Sequence, residues 1–423
     1  MKIAFLVSQF PSVSETFILN QIVGLMELGH DVHIFADKSV KNVTIHENYE
    51  KYGLSKRTHY YGIPQNKISR MLKAILLIMK YAPSHYDVLL RSLNIVRYGK
   101  PSWSLSLLFM SAALTERGPF DIIHCQFGAL GPSGVALNQI CASHSKIVTS
   151  IRGYDVTVYL KKHPGIYREL FGEGDLFLPV CEFLKERLIQ EGCEQKKIVV
   201  HHSGIDCSKF EYIQRERGPG DPIKVLTIAR LIEKKGVAFA VEAVSHLLSK
   251  GEKIDYSIVG DGALREELQQ LIKSMGIERQ VRLLGWKTHE EVKRLLEESH
   301  VLVAPSLTSE SGDQEGIPNA IKEAMATGLP VISTFHSGIP ELVADGVSGL
   351  LVPERDAVSL AEALAQLMSH PEICNRMGKA GRMHVEQGFD THALNKKLEE
   401  LYRELMQDTY SRPCALDIDR CIL

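Results

Sequence analysis

Short apolar segments alternate with helical segments along this chain, and the alternation occurs twice. It begins with an apolar run at residues 3–7, typical of a buried parallel strand, and a helix over 14–28 that Gly29 ends. Around 215–222 the sequence becomes polar and rich in Gly and Pro, and the same pattern then restarts. This pattern predicts two Rossmann-like, doubly wound α/β domains with parallel sheets.

The predicted strands are short apolar runs bounded by turn residues. In the first half they cover residues 3–7, 31–35, 122–125, 147–151, 176–179 and 198–201, and in the second half 224–228, 256–259, 281–284, 301–304, 330–333 and 349–352. We predict an N-terminal domain over 1–212, a linker over 213–222, a C-terminal domain over 223–388, a closing helix over 389–407 and a tail over 408–423. Because ligands bind beyond the C-terminal ends of such strands, two facing sheets predict a cleft between the domains.

Composition narrows the classes of function. Lys and Arg total 49 and Asp and Glu total 51, so the net charge is −2 and gives no indication of nucleic-acid binding. The eight cysteines form no C-x-x-C pair, which favours reduced thiols in a cytoplasmic protein over disulfides or zinc. The first residues do not resemble a signal peptide, and no uncharged segment reaches the ~20 residues of a membrane span.

One segment, residues 66–100, combines basic and apolar side chains. It carries seven Lys and Arg residues against a single acid, Asp87, with apolar residues between them at helical spacing. Two interpretations stay open. The segment could bind an anionic membrane surface, which would make the protein peripheral on the inner face of the membrane. Alternatively, it could form a helical hairpin that packs on the N-terminal sheet with its basic side in water.

Basic residues follow the first strand of the second half. Arg230 and Lys235 lie just after residues 224–228, at the strand end where phosphates bind in such folds. An Arg fork and a Lys point charge both suit phosphate oxygens. Gly260 and Gly262 follow the next strand, and their lack of a side chain lets backbone approach a ligand.

A second motif runs from Glu315 to Ala326. Pro318 suits the first position of a helix, where the free amides of Asn319 and the next residue can face an anion. Glu323 lies eight residues beyond Glu315, about 12 Å away if both were on one helix. That separation is too large for an acid–base pair, but it suits two carboxylates that grip hydroxyls at opposite ends of a sugar nucleotide.

Together these motifs resemble the GT-B family 4 of retaining glycosyltransferases. The resemblance covers roughly residues 220–355 and rests on the following sets: Arg230 to Gly236, Gly260-Asp261-Gly262, Leu284-Gly285-Trp286, Glu315 with Glu323, and Gly338-Ile339-Pro340-Glu341 with Gly346 and Gly349. Residues 305–318, Ser14-Glu15-Thr16-Phe17 and Arg152-Gly153-Tyr154-Asp155 are similar to the colanic-acid and amylovoran type within that family.

The resemblance implies a transfer of hexose from a UDP-, GDP- or ADP-sugar to a saccharide or lipid-linked acceptor in exopolysaccharide or surface-polysaccharide synthesis. It implies retention of the anomeric configuration, no metal and no cofactor. Arg230 and Lys235 would hold the diphosphate, Glu315 the transferred sugar and Glu323 the ribose, and backbone near Leu284 and Trp286 the base. The remaining donor contacts would come from the loop Gly316, Ile317, Pro318 and Asn319.

Two departures from the family pattern concern the reacting centre. Many relatives have a Gly-Gly loop after the first strand, where this chain has residues 9–16, including the predicted acceptor loop Ser14, Glu15 and Thr16. Many have a histidine where Arg152 stands here. Arg152 follows a predicted strand and cannot act as a base. We therefore predict that Arg152 and Asp155 are catalytic residues, with Arg152 as a fixed positive charge whose partner is either the leaving diphosphate or Asp155, which would hold its guanidinium. The alternative is that an Arg152–Asp155 pair only braces the loop.

Three alternative functions differ in the sequence features or chemistry that they would require. A nicotinamide dehydrogenase would need G-x-G-x-x-G after the first strand, and residues 8–15 contain no glycine. A GT-B nucleotide-sugar epimerase would act on its donor without an acceptor. An inactive membrane-associated scaffold would not need intact Arg230, Lys235, Glu315 and Glu323.

Overall fold

The computed structural model describes residues 1–12, 16–39, 47–218 and 220–410, and these contain two parallel six-stranded sheets. The first sheet contains β1 (Lys2–Gln9), β2 (Asp31–Lys38), β3 (Thr58–Tyr60), β4 (Ile122–Cys125), β5 (Lys146–Ile151) and β6 (Leu176–Pro179). The second contains β7 (Ile223–Ile228), β8 (Ile254–Val259), β9 (Val281–Gly285), β10 (Val301–Ala304), β11 (Val331–Thr334) and β12 (Gly349–Val352).

Both sheets have the same topology. Their strand orders are β3-β2-β1-β4-β5-β6 and β12-β11-β10-β7-β8-β9. In each, the chain builds outward from its first strand, then crosses to the other side of that strand and builds in the opposite direction. This is the order of dinucleotide-binding folds, and it creates a crevice at the switch point between β1 and β4 and again between β7 and β10.

Helices connect the strands. In the first half they are α1 (Thr16–Glu27), α2 (Glu47–Lys51), α3 (Leu54–Arg57), α4 (Lys67–Ser92), α5 (Ile95–Tyr98), α6 (Lys100–Trp103), α7 (Ser106–Arg117), α8 (Gly131–Ile140), α9 (Leu160–Lys162), α10 (Arg168–Glu173) and α11 (Glu182–Gln190). In the second half they are α12 (Val237–Ser249), α13 (Arg265–Ser274), α14 (His289–Glu298), α15 (Asn319–Ala326), α16 (Ile339–Leu342), α17 (Ala357–Ser369), α18 (Pro371–Gly388) and α19 (Thr391–Tyr410).

The strands are buried because helices cover both faces of each sheet. Every residue of β4, β6, β11 and β12 is buried, and so are the central residues of β1. Eleven of the twelve predicted strands are present, since continuous apolar runs of this length suit a strand that is buried on both faces.

Two details of the sequence prediction were wrong. Residues 198–201 do not form a strand, because they run past the end of β6, where the His201 amide bonds to the Pro179 carbonyl without a continuing ladder. Pro318 is not the first helical residue. It precedes α15 with extended backbone (φ −64°, ψ 132°), so Glu315 lies on a loop rather than on the helix of Glu323. The short strand β3 was not predicted.

The described residues group into two compact units. One contains Met1–Ser150, Tyr167–Phe177 and the chain from Asn395, and the other contains Ile151–Ile166 and Leu178–Leu394. The C-terminal helix α19 therefore packs in the first unit from Asn395 onward. Its Tyr402 hydroxyl lies 2.6 Å from Nδ1 of the buried His124 on β4. The domain boundaries predicted from sequence and the facing of the two domains across a cleft stay predictions.

The segment predicted as a linker is anchored rather than free in the described residues. Arg215 is largely buried, and its guanidinium donates to the carbonyl oxygens of Leu296, Ser299 and Thr327 at 2.7–2.9 Å. One side chain thus ties this stretch to the end of α14 and the end of α15. Of the predicted tail over 408–423, residues 408–410 belong to α19, and residues 411–423 lie outside the described residues.

Candidate active site

The switch point of the second sheet brings two distant segments together. The chain leaves β7 into a short 3-10 turn, Glu233–Lys235, and leaves β10 into the loop 305–318 that carries Glu315. Gly236 makes the approach feasible. It has a φ of 62°, and a Cβ added there would lie 1.9 Å from the Pro305 carbonyl oxygen. The two segments therefore pack backbone against backbone at the crevice.

Two lysines converge on Glu315 in this crevice. Lys235 Nζ lies 3.0 Å from Glu315 Oε2, and Lys234 Nζ lies 3.2 Å from Glu315 Oε1. Lys234 also pairs with Asp313 at 3.0 Å. Burial alone would raise the pKa of Glu315, but the charges of Lys235 and Lys234 outweigh it and lower that pKa to about 2. Glu315 is therefore a fixed carboxylate at neutral pH and not a proton donor.

A buried histidine holds the backbone at Glu315. His336 follows β11 and is fully buried, and its Nε2 accepts the Glu315 amide at 3.0 Å. Its Nδ1 lies 2.6 Å from Glu354 Oε1, so the proton sits on Nδ1 and is donated to that carboxylate. Glu354 also accepts the Thr308 amide at 2.8 Å. Burial opposes ionisation of Glu354, but these hydrogen bonds hold its pKa below the usual value.

The predicted catalytic segment after β5 packs against the same loop. A Cβ on Gly153 would lie 2.2 Å from the Gln314 carbonyl oxygen, so the chain passes directly beside the residue before Glu315. The Arg152 guanidinium donates to the Ser203 hydroxyl at 2.9 Å. The Asp155 carboxylate accepts the backbone amide of Arg152 at 2.8 Å. The Asp155 carboxylate thus fixes the turn by holding the backbone of Arg152.

A buried lysine links that segment to α15. Lys322 is fully buried, and its Nζ donates to the Ser203 carbonyl at 2.6 Å and to Asn319 Oδ1 at 2.9 Å. Burial, together with the nearby positive charge of Arg152, lowers the pKa of Lys322 to about 7. The Ser203 hydroxyl therefore accepts a hydrogen bond from Arg152, and the Ser203 backbone carbonyl accepts one from Lys322.

Glu323 differs from Glu315 in its surroundings. It is partly buried, and burial raises its pKa, while the charges of His289 and Lys322 pull in the opposite direction. No lysine pairs with it among the described residues. The two carboxylates of the motif therefore differ in their surroundings, since only Glu315 is paired with lysines among the described residues.

The other predicted donor residues lie at the same C-terminal edge of the sheet. Arg230 is exposed directly after β7, and Trp286 is 65 % exposed after β9, while Leu284 is partly buried within β9. Gly260 and Gly262 have structural reasons to be glycine. A Cβ on Gly260 would lie 1.9 Å from the Ala229 carbonyl oxygen, and a Cβ on Gly262 would lie 2.4 Å from the Leu231 carbonyl oxygen. Gly316 and Ile317 continue the loop from Glu315 to α15.

Two further parts of the sequence prediction are the acceptor loop and the motif from Gly338 to Glu341. Ser14 and Glu15 of the predicted acceptor loop lie outside the described residues, and Thr16 is the first residue of α1. Glu341, in the Gly338 to Glu341 motif, caps α11 because its Oε1 accepts the Glu182 amide at 2.8 Å. That contact gives the glutamate a structural role within the second unit.

Comparison with known proteins explains this architecture. The family profile described as "Glycosyltransferase Family 4" matches residues 14–209, and "Glycosyl transferases group 1" matches residues 208–384. The amylovoran biosynthesis glycosyltransferase AmsK of Erwinia amylovora is 37% identical over 412 residues, which is 96% of this chain and 100% of AmsK. The chain belongs to glycosyltransferase family 4.

Further comparisons agree with this assignment. WcaL of Salmonella typhimurium, whose name assigns it to colanic acid biosynthesis, is 36% identical over 96% of this glycosyltransferase and 100% of its own length. Anabaena HepE, solved with UDP and glucose, superposes with a TM-score of 0.71 at 17% identity over 96% of this chain and 100% of HepE. Sucrose-phosphate synthase from Thermosynechococcus elongatus superposes with a TM-score of 0.72 at 19% identity, with the same shares covered. This glycosyltransferase therefore has the GT-B fold.

Several residues of the site were not predicted from the sequence of this glycosyltransferase. They are Lys234, Asp313, Lys322, His336 and Glu354. Lys234 stands beside Lys235 in a strand-to-helix turn, and that position is a sequence signal for a second basic residue of the site. His336 and Glu354 gave no local signal, because their partnership with Glu315 exists only through the packing of three segments.

Proposed function

We propose that this glycosyltransferase moves a hexose from a nucleotide diphosphate sugar to a saccharide or lipid-linked saccharide, with retention of configuration at the anomeric carbon. The observation that carries the proposal is the convergence of Lys235 and Glu315 at the switch point of the second sheet. A cation for the diphosphate and a carboxylate for sugar hydroxyls stand there within one ligand's length, where α/β folds bind nucleotides.

The proposed reaction breaks the bond between the anomeric carbon and the diphosphate oxygen and forms one to the acceptor oxygen on the same face. The acceptor proton passes to an oxygen of the leaving diphosphate. Arg230 and Lys235 stabilise the charge that develops on that leaving group, and the Arg152 guanidinium adds a fixed positive charge near the loop of Glu315. Glu315 stays ionised and accepts hydrogen bonds from the transferred sugar, while Glu323 accepts from the ribose.

We propose that no metal ion takes part, since Arg230 and Lys235 supply the positive charge that a magnesium ion supplies in other phosphate-transfer sites. Turnover is then expected to continue at an unchanged rate in excess EDTA. Loss of turnover in EDTA, restored by added Mg²⁺ or Mn²⁺, would contradict this part of the proposal.

The role in the cell is proposed from the relatives. AmsK is named for amylovoran biosynthesis and WcaL for colanic acid biosynthesis, and this chain spans the full length of both. We therefore propose a step in exopolysaccharide or surface-polysaccharide synthesis. The enzyme would act in the cytoplasm, peripherally at the inner face of the membrane, where lipid-linked acceptors are held.

The donor can be found by thermal unfolding of the purified protein with UDP-, GDP- and ADP-sugars. A donor at 100 times its Kd adds about 2.7 kcal/mol of stability, so the correct nucleotide should raise Tm clearly above the other two. NMR of the product formed with a soluble saccharide acceptor then gives the anomeric configuration. Inversion, an epimerised donor without transfer, or no binding of any sugar nucleotide would each reject the proposal.

A further inference from the structure

Helix α4 presents an apolar face to solvent. The residues of this outer face and their exposed fractions are Ile68 (69%), Met71 (57%), Leu72 (58%), Ile75 (48%), Leu76 (62%) and Met79 (60%). They recur at intervals of three and one, which places them on one side of an α-helix. A helix on the surface of a folded protein normally shows charged or polar side chains on this side.

The outer face is not the side on which α4 packs. Ala74 and Tyr81 are buried on the opposite side, in a cluster with Leu108, Phe109 and Ala112 of α7. The helix is therefore apolar on two sides, and only one of them packs against other residues in the described part of its unit. Packing in the hydrophobic core therefore does not explain why the outer face is apolar.

Exposed apolar side chains continue beyond this face in the sequence. The helix is interrupted at His85, which has non-helical backbone, two residues after Pro83. After the break, Leu90 is 67 % exposed, and Val96 and Trp103, on the short helices α5 and α6, are 99 % and 74 % exposed. Large apolar side chains are thus exposed to solvent on α4, α5 and α6.

Basic side chains border the outer face. At about 100° per residue, Lys67 projects beside Met71 on one border, and Lys73 and Lys80 project on the other. Lys80 shares an ion pair with Glu116, but both side chains are well exposed, so the pair contributes little. Between residues 66 and 103 the sequence contains one acid, Asp87, which is paired with Arg91.

This combination fits one kind of partner. The protein as a whole has a net charge of −2, so the positive charge is local to this surface. A bilayer with anionic headgroups takes up apolar side chains into its acyl boundary and holds bordering lysines at the level of the phosphates. No helix among the described residues is long and apolar enough to cross a membrane.

We propose that the outer face of α4 is the surface by which this protein attaches to an anionic membrane. These residues would make the membrane contact that the proposed function includes. The inference rests on that function in one respect, which is that a lipid-linked acceptor explains why the enzyme would attach to a membrane. Attachment itself needs no donor, acceptor or turnover.

The test is co-sedimentation of the full chain with vesicles of phosphatidylcholine alone or mixed with phosphatidylglycerol, without any sugar nucleotide. The altered protein carries Leu72→Gln, Leu76→Gln and Met79→Gln. A matched control carries Val347→Gln, Val358→Gln and Met383→Gln, which are similarly exposed apolar residues of the second unit. We expect the wild type and the control to bind mixed vesicles, and the α4 variant to bind at least about tenfold more weakly.

The basic border is tested separately. Lys67→Gln, Lys73→Gln and Lys80→Gln should each weaken binding to mixed vesicles by about fivefold, and wild-type binding should fall as salt rises. Because all six altered positions in α4 are exposed, Tm should stay near the wild-type value.

Three outcomes would overturn the inference. These are an absence of vesicle binding, equal binding by the α4 variant, and a wild-type dimer that the α4 variant converts to a monomer in sedimentation without lipid. The last outcome would make the face a protein interface. Turnover with a soluble acceptor is measured alongside, so that failure of attachment is distinguished from failure of the proposed enzyme activity.

Discussion

Lys235 Nζ lies 3.0 Å from Glu315 Oε2, although the two residues follow different strands of the second sheet. The lysine proposed to bind the donor diphosphate is therefore paired with the carboxylate proposed to bind the sugar. A second lysine, Lys234, also contacts Glu315 and pairs with Asp313. When a donor enters, Lys235 can turn to the phosphates while Lys234 keeps Glu315 in an ion pair.

The two neighbouring lysines should consequently respond differently to substitution. Lys235→Met is expected to raise the donor KM and lower kcat/KM roughly ten- to a hundredfold, because a charge-assisted contact to phosphate is lost. Lys234→Met should mainly lower Tm, because it leaves Asp313 without its buried partner. Steady-state kinetics and thermal unfolding of both variants check this, and the reverse pattern would exchange their roles.

The two glutamates of the motif should also differ. Glu323→Ala is expected to weaken donor binding with a smaller change in kcat, since a ribose contact is present before and during the reaction. Glu315→Ala should lower kcat, since its contact is to the reacting sugar. Donor Kd from calorimetry and kcat from initial rates separate the two effects. If both variants keep normal kcat/KM, the assignment of the motif is wrong.

His336 is expected to act on catalysis by positioning Glu315. His336→Asn removes the acceptor of the Glu315 amide and the partner of Glu354, so the loop can shift, and small misplacements cost up to about a hundredfold in rate. We expect kcat to fall at least about tenfold with nucleotide diphosphate affinity close to normal. For Glu354→Gln, whose side-chain oxygen can still accept a hydrogen bond from His336 Nδ1, we expect a smaller fall in kcat. A loss of Tm with normal kcat in the folded fraction would leave His336 a purely structural role.

Arg152 and its neighbour Asp155 offer a third contrast. Arg152→Lys keeps the charge but not the planar fork that reaches Ser203. Truncating a buried, partnered charge typically costs ~2–5 kcal/mol, roughly thirty- to several-thousand-fold in rate if the loss is felt in the transition state. Asp155→Ala should instead lower Tm, because the carboxylate braces the Arg152 backbone. Normal turnover by Arg152→Lys would show that this arginine takes no part in catalysis.

The ion pairs of Glu315 predict a dependence of stability on pH. The pKa of Glu315 is lowered to about 2 in the folded protein, below its ordinary value, so its contribution to stability is present above that ordinary value and is lost as pH falls toward 2. Urea unfolding should show wild type more stable than Glu315→Gln at neutral pH. The difference should shrink between about pH 4.5 and pH 2. A difference that does not change with pH would argue against the ion pairs.

The sequence by itself determined the architecture and the chemical class of the site. Buried parallel strands need continuous apolar runs, and such runs are visible in the sequence at β1 and β10. Phosphate sites need small or basic residues where strands end, and Arg230 and Lys235 stand at such a position. The same holds for α4, whose two apolar sides and bordering lysines can be read from residue spacing. Residues 198–201 show the limit, because an apolar run predicts a strand whether or not a continuous ladder of backbone hydrogen bonds forms beside it.

Only the tertiary structure decided which charges meet. Residue spacing indicates only how far apart Glu315 and Glu323 would be along one helix, and in the structure Glu315 lies on a loop that Lys234, Lys235 and His336 hold from two other segments. Asp155 looked like a partner for the Arg152 side chain, and its carboxylate accepts that residue's backbone amide. Ion pairs and hydrogen bonds depend on distances of a few ångströms between residues far apart in the chain, and those distances are set by how the strands cross over and not by local sequence.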